Sequence, residues 1–553
     1  MASIPIFFDT LGKKRAAHLL RRATFGANKQ QIDLFAQLTP QVALNKLLPP
    51  NYSLPDPPLD TNTGQSWVNP KPVPDVNSGN ENLMGQVKAW WLHQMVSSPL
   101  DSVEKMTFFL HSHFTNIESR MRYAPSLYYQ VQLFRKYALG NYKELTKKIC
   151  LDNAMLRFLD GHLNVVGRPN ENFAREFFEL YTVGKGPSKG PNDYTTFTED
   201  DVIEASRVFS GYMEDEEFTN LDPDTSFSRA LLRTNDQGLA HRHDAGVKQF
   251  SAAFANKQLA PIEVINGQAT EAAAIDEIHQ LVEIIFDQDA TALHIMRKLY
   301  RYLVYYEITK EVEQNIIVPL ANLLKEANYE FRPVLETLFC SQHFYDLDNT
   351  LDTDDNIGAI IKSPLELVTG MFRFFQPNMP DSSADLRKFY EAYSIGYLDP
   401  LKDQGLDFLE PFEVAGYAAY HQAPAYHRNW ISTNYLARRY EFSRLFAEGV
   451  TNRDDELLYK FDMVAYVNDK QNITDPTNPE LLVRELTDYL LPREITEERF
   501  QYFLNVILLD NLSEINWKFE WEAFQQTGDD AAVRVQLENL FHTIIQSPEF
   551  QLS

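Results

Sequence analysis

The fold class this sequence predicts is a predominantly α-helical body with long loops and at most a small β-hairpin. Apolar residues recur at helical spacing through almost every periodic segment of both halves, and alternating, strand-like runs are scarce. With 44% hydrophobic and 13% aromatic residues, 37 Phe and 27 Tyr among them, the 553-residue chain has ample material for a large core.

In order along the chain, residues 19–47 read as two short helices. Residues 51–80 are rich in Pro, Asn and Asp with little periodic apolar content, and read as a long surface loop. Helices are expected over 86–96, 100–116, 127–138, 142–151 and 171–183. Thr198-Glu199-Asp200-Asp201 has the spacing of a capping box, so a further helix starts there and ends at Gly211. The polar, turn-rich segment 214–250 is the place for a hairpin, and helices follow over 272–286, 290–306, 312–328 and 331–344. The phrase Tyr302-Leu303-x-x-x-Glu307-Ile308-Thr309-x-Glu311 returns as Tyr489-Leu490-x-x-x-Glu494-Ile495-Thr496-x-Glu498. Each copy is later followed by a Ser-x-x-Phe phrase, Ser341 to Phe344 and Ser547 to Phe550, which suggests two related helical units. The acidic stretch 346–355 divides an N-terminal region, 1–345, from a C-terminal region, 356–553, although the two also fit one interlocked body.

The helix over 171–183 is the most informative. Pro169-Asn170 is a helix-entry signal, Glu171 falls in the first turn where the positive end of the dipole favours it, and Gly184 is a natural stop. At about 100° per residue, Asn172, Arg175, Glu176 and Glu179 share one face while Phe173, Phe177 and Leu180 share the other. The polar face fits a chemical site, and Arg175 with Glu179 equally fits an i,i+4 ion pair.

This helix is one of several blocks that occur in order. The others are Ala17-His18-Leu19-Leu20-Arg21-Arg22-Ala23-Thr24-Phe25-Gly26, then Pro99-Leu100 through Glu104-Lys105-Met106 to His111-Ser112-His113-Phe114, then Thr198-Glu199-Asp200-Asp201-Val202 with Gly211-Tyr212. His243-Asp244-Ala245-Gly246-Val247-Lys248 and Val414-Ala415-Gly416-Tyr417 leading to Trp430 complete the set. In these blocks the chain resembles an uncharacterised bacterial family known only as domain of unknown function 1800. The resemblance implies no agreed activity, and it implies as a partner a sulfatase-like protein often encoded beside such family members. Ser112 stands where the family tends to have asparagine, and Tyr212 and Tyr417 where tryptophan is common, so no role carries over to those positions.

Three clusters could carry chemistry. His111-x-His113 lies on the helix expected over 100–116, where residues two apart point in different directions, so His113 near the apolar face reads either as a core histidine or as an acid/base group facing Glu176 or Glu179. Asp160, Asn170 and Glu171 offer oxygen ligands which, with His111, would suit a divalent metal ion, although loop turns and helix caps use the same residues. His243 and Asp244 form a third candidate group on a lid-like polar segment. Tyr417, Tyr420, His421, Tyr426, His427 and Trp430 crowd a short segment around Pro424 that would either wall a pocket for a sugar or other flat ligand or pack a rigid loop.

Composition removes other classes. With 51 basic against 77 acidic residues the net charge is −26, which repels nucleic-acid phosphates and anionic lipid headgroups. Two cysteines build neither a disulfide framework nor a cysteine zinc site. HExxH, GxxxxGK[ST] and a strand-borne GxGxxG are all missing. The first residues lack the basic and apolar regions of a signal peptide, and no apolar run reaches the ~20 residues of a membrane span. The chain as written reads as cytoplasmic, or as the mature form of an exported protein. Two functions follow: an enzyme or ligand-binding protein with a His/carboxylate pocket in the N-terminal region, or a noncatalytic helical assembly protein whose polar motif is a structural ion-pair network.

Overall fold

Side chains that can take the first free amide of a helix precede many of the helices, and this sets the architecture. Asn28, Thr39, Asn141, Asp152, Thr198, Thr270, Ser363, Ser432 and Asn478 each accept a hydrogen bond from the opening turn. The computed structural model describes residues 4–68, 79–349 and 355–553. It is 54% helical. Parts of the expected loop 51–80 and of the dividing stretch 346–355 lie outside the described residues. Residues 19–47 hold three helices rather than two, Gly12–Ala23, Lys29–Ala36 and Pro40–Leu47, because Asn28 and Thr39 each start one. The Thr198 capping box opens the helix Glu199–Val208 as its sequence requires.

β-structure goes beyond the one hairpin expected. Tyr212–Met213 pairs with Leu231–Leu232, Lys248–Gln249 with Gln258–Leu259, and Gln268–Thr270 lies between Leu239–Ala240 and Val264–Ile265. Two further pairs join Ser188–Gly190 to Asp193–Tyr194 and Val450–Thr451 to Leu457–Tyr459. These strands are two or three residues long, too short to show a period of two in the sequence.

The motif helix begins as expected, with Asn172–Glu176 α-helical, and then widens into a π turn over Phe177–Tyr181. Widening rotates the residues that follow. Phe173 and Phe177 are buried as their spacing requires, but Phe178 and Tyr181 are also fully buried while Leu180 is only partly so. Gly184 closes the element at φ +69°, where a β-carbon would lie 2.5 Å from the His294 ring.

The repeated phrases fold alike. The helices Asp289–Leu303 and Pro479–Leu490 end on the two Tyr-Leu pairs. Thr309 and Thr496 then cap short helical turns that widen into π turns at Glu313–Ile317 and Tyr502–Leu508. Ser341 and Ser547 each accept a hydrogen bond from the amide three residues on, that of Phe344 or Phe550. Beside them Ile6 bridges to Ser341 and Ile361 to Leu552. The second unit inserts an extra helix, Glu514–Thr527, before its last one.

One hydrophobic cluster runs through residues of both halves. Lys105 and Glu366, from opposite halves, form an ion pair of 2.5 Å inside it. The division at 345/356 is retained as a proposal about domains, and it coincides with the end of the first repeat unit. Among the described residues no helix is long and apolar enough to cross a membrane.

Candidate functional site

The polar face of the motif helix is largely committed to ion pairs. Arg175 holds Glu199 through both guanidinium nitrogens at 2.9 and 2.5 Å and reaches Glu171 at 3.3 Å, and Glu179 pairs with Lys185. Glu176 makes no hydrogen bond or ion pair with any described residue. Burial, and then the neighbouring Glu179, raise its carboxyl above the usual value, against Lys185 and Arg175. A carboxyl raised on folding penalises the native state only when ionised. The penalty is absent below the unfolded carboxyl value and sets in as pH rises through the folded one. Glu176→Gln is therefore expected to raise the unfolding midpoint slightly at pH 7, with the gain vanishing near about pH 4. Thermal unfolding at both pH values checks this, and a loss of stability at pH 7 would contradict it.

The expected meeting of Glu176 and Glu179 with His113 is not what the contacts show. His113 Nε2 lies 2.6 Å from the Tyr142 hydroxyl and 3.0 Å from the Tyr181 carbonyl, and Lys298 Nζ lies 3.2 Å from Nδ1. His294 and Lys298 both donate to the Leu180 carbonyl, at 3.0 and 2.9 Å. Tyr142, His113, His294 and Lys298 thus cap the carbonyl end of the motif helix, and among the described residues no hydrogen bond or ion pair joins them to Glu176 or Glu179. Burial, then Arg301, pushes Lys298 down to about 7, and burial, then Lys298, pushes His294 down to about 3. Sequence reasoning missed His294 and Lys298, whose only signal was their i,i+4 spacing.

His243 and Asp244 also part company. His243 Nε2 lies 2.7 Å from Glu277, whose other oxygen takes Lys248 at 2.5 Å, and all three side chains are fully buried. Asp244 turns the other way and accepts two hydrogen bonds from Arg207, at 2.9 and 3.1 Å. Adjacent side chains diverge here because each serves a different partner.

The proposed metal ligands are not gathered either. His111 is boxed in by the Trp91, Phe108 and Tyr417 rings, and burial pushes it down to about 3, so it is neutral. Asp160 starts a tight turn at φ +58°, Asn170 Oδ1 accepts from the Asn172 amide at 3.0 Å, and Glu171 is held by Arg175. Among the described residues no three His, Cys, Asp or Glu side chains stand where they could hold a metal ion.

The aromatic segment after Gly416 does line a cleft. Gly416, at φ +96°, lies so close to the end of the His111/His113 helix that a β-carbon would sit 2.9 Å from the Ser112 carbonyl. Tyr417 is then buried against Phe108 and Trp430, with its hydroxyl donating to the Asp407 carbonyl at 3.0 Å and accepting from the Leu409 amide at 3.2 Å. Glu410 accepts from the Ser119 amide at 2.8 Å, and the Glu118 amide donates to the Leu409 carbonyl at 2.9 Å, which brings in a segment from far up the chain. The result is a cleft of about 720 Å³. Its apolar walls are Phe412, Tyr417, Trp430 and Tyr435, and its polar lining includes Ser119, Arg120, Asp407, Glu410 and Asn429. Phe412 is 98% exposed, and the buried Asn429 Nδ2 has no hydrogen-bond partner among the described residues. Phe412, Asp407, Glu410 and Arg120 were not foreseen.

The family described as "Protein of unknown function (DUF1800)" matches residues 18–552, and the chain belongs to it. No curated protein and no solved structure matches the chain.

Proposed function

For a member of that family, we propose that this chain binds a neutral saccharide in the cleft between the Tyr417–Trp430 segment and Phe412. The observation that carries the reading is the combination of aromatic faces with both kinds of hydrogen-bonding group in a cleft of about 720 Å³, within the usual range for small-ligand sites. A pyranose presents an apolar C–H face that stacks on a ring and a rim of hydroxyls that both donate and accept. Phe412 offers an uncovered ring at the lip, Arg120 and Asn429 supply donors, and Asp407 and Glu410 supply acceptors. The net charge of −26 disfavours acidic sugars, which is why the reading is of a neutral one.

The reading requires no catalysis: Glu410 is engaged by Ser119, and Asp407 pairs with Lys402 at 2.7 Å. A sulfatase-like partner rests on the family resemblance alone and stays within the proposal. The test is calorimetric titration against a panel of neutral di- to tetrasaccharides. At least one should bind, and Phe412→Ala should weaken it roughly tenfold, the loss of one stacking contact of about 1.4 kcal/mol. Because Phe412 is 98% exposed, the variant should melt with the native protein. Binding by no member of the panel, or equal binding by the variant, would overturn the reading.

A further inference from the structure

The helix Glu514–Thr527, which the second repeat unit has and the first lacks, is apolar on two opposite sides. Trp517, Trp521 and Phe524, at i, i+4 and i+7, form the inner side. The two tryptophans are buried and stack at 5.7 Å, and Trp517 Nε1 donates to the Pro476 carbonyl at 2.9 Å. Ile515 and Phe519 lie four apart and about 180° round the axis from them, with Leu512 three residues earlier on the same side. These three are 63%, 65% and 51% exposed. An exposed apolar side chain standing alone needs no explanation, but a helix that is apolar all round is normally covered all round. Among the described residues nothing covers this outer stripe.

Charge says what would fit it. Glu514 and Glu520 flank the stripe, roughly 120° to either side of its midline, and Glu522 lies nearly in line with it. Among the described residues Glu514 has no ion pair or side-chain hydrogen bond, and Glu520 Oε2 is buried without a partner. Lys518, the one cation on the helix, reaches Glu522 at 3.9 Å. Residues 509–530 hold six acidic side chains against that single lysine, a far steeper excess than the 77 to 51 of the whole chain. A second copy of the same face would therefore be repelled, and a surface with apolar and basic groups would be drawn in.

We propose that the outer face of the helix Glu514–Thr527 docks a basic amphipathic helix of a partner protein. The partner's apolar stripe covers Leu512, Ile515 and Phe519, and its flanking lysines or arginines face Glu514, Glu520 and Glu522. From Leu512 to Phe519 is two helical turns, about 10 Å, so the contact belongs to the small, transient class of interface. None of these residues lines the saccharide cleft, and the proposal stands whether or not a sugar binds.

Calorimetric titration with a synthetic amphipathic helix, leucine on one face and lysine on its flanks, tests it. Wild type should bind this peptide at a single site, binding should weaken as salt is raised, and the same peptide with glutamate in place of lysine should not bind. Ile515→Ser combined with Phe519→Ser should weaken binding by at least about tenfold. Both side chains are more than half exposed, so the double variant should melt with the wild type. No binding by the wild type, equal binding by the double variant, or equal binding of the two peptides would overturn the proposal. A dimer in sedimentation velocity that the double variant lacks would also overturn it, because a second copy would then be the occupant. The comparison of the two peptides uses wild type alone, and it decides the matter even if the double variant fails to fold.

Discussion

Glu277→Ala is expected to lower the unfolding free energy by about 3–5 kcal/mol, because it leaves a buried charge without its counter-ion. Glu277 is fully buried and its two oxygens serve His243 and Lys248, neither of which has another carboxylate within ion-pair distance among the described residues. Removing it leaves the Lys248 ammonium in a site from which water is shut out, with only the Asp244 carbonyl, at 2.5 Å, to accept from it. Burial already pulls that lysine below its ordinary value, mainly against the pull of Glu277. The cost should therefore be recovered largely by removing the charge as well. Glu277→Leu combined with Lys248→Met should lie well above the single variant in a urea titration. Equal loss in the single and double variants would mean that packing, not charge, holds this corner.

Phe177→Ala should cost about 3–5 kcal/mol, as expected for truncation of a fully buried phenylalanine. The side chain is 0% exposed and meets Phe173, Phe178 and Phe209, with ring centroids 6.0, 6.4 and 5.3 Å away. It also stands where the α-helical turns give way to the π turn, so the cavity opens beside the capped carbonyls of Leu180 and Tyr181. An unchanged denaturation midpoint would place the wrong face inward.

The parts of this fold that were legible in the sequence are those set by local contacts. The capping box at Thr198 and the Phe173/Phe177 stripe depend on residues three or four apart, and both stand as read. The echo at Tyr302 and Tyr489 was legible for the same reason, because a Thr cap and a Ser-x-x-Phe turn are short-range chemistry. The π turn was not legible. It depends on the Leu180 and Tyr181 carbonyls finding His113, His294 and Lys298, and a backbone acceptor has no residue-type signature.

For the candidate site the division is similar. The ring density of Tyr417, Tyr420, Tyr426 and Trp430 fitted either a pocket wall or a packed loop, and of the four Tyr417 and Trp430 line the cleft. The other wall did not show, because it is built across 291 residues, from Ser119 to Glu410. Equally, the polar motif helix drew attention to groups that pair with Glu199 and Lys185.

The proposed ligand site lies at Phe412 and Trp430 and not on the motif helix. Its most direct test is one calorimetric titration of the best-bound saccharide into three proteins: wild type, Phe412→Ala and Glu176→Gln. The account predicts roughly tenfold weaker binding by the Phe412 variant and unchanged binding by the Glu176 variant, with both folded. Loss of binding in Glu176→Gln with none in Phe412→Ala would contradict it and return the site to the motif helix.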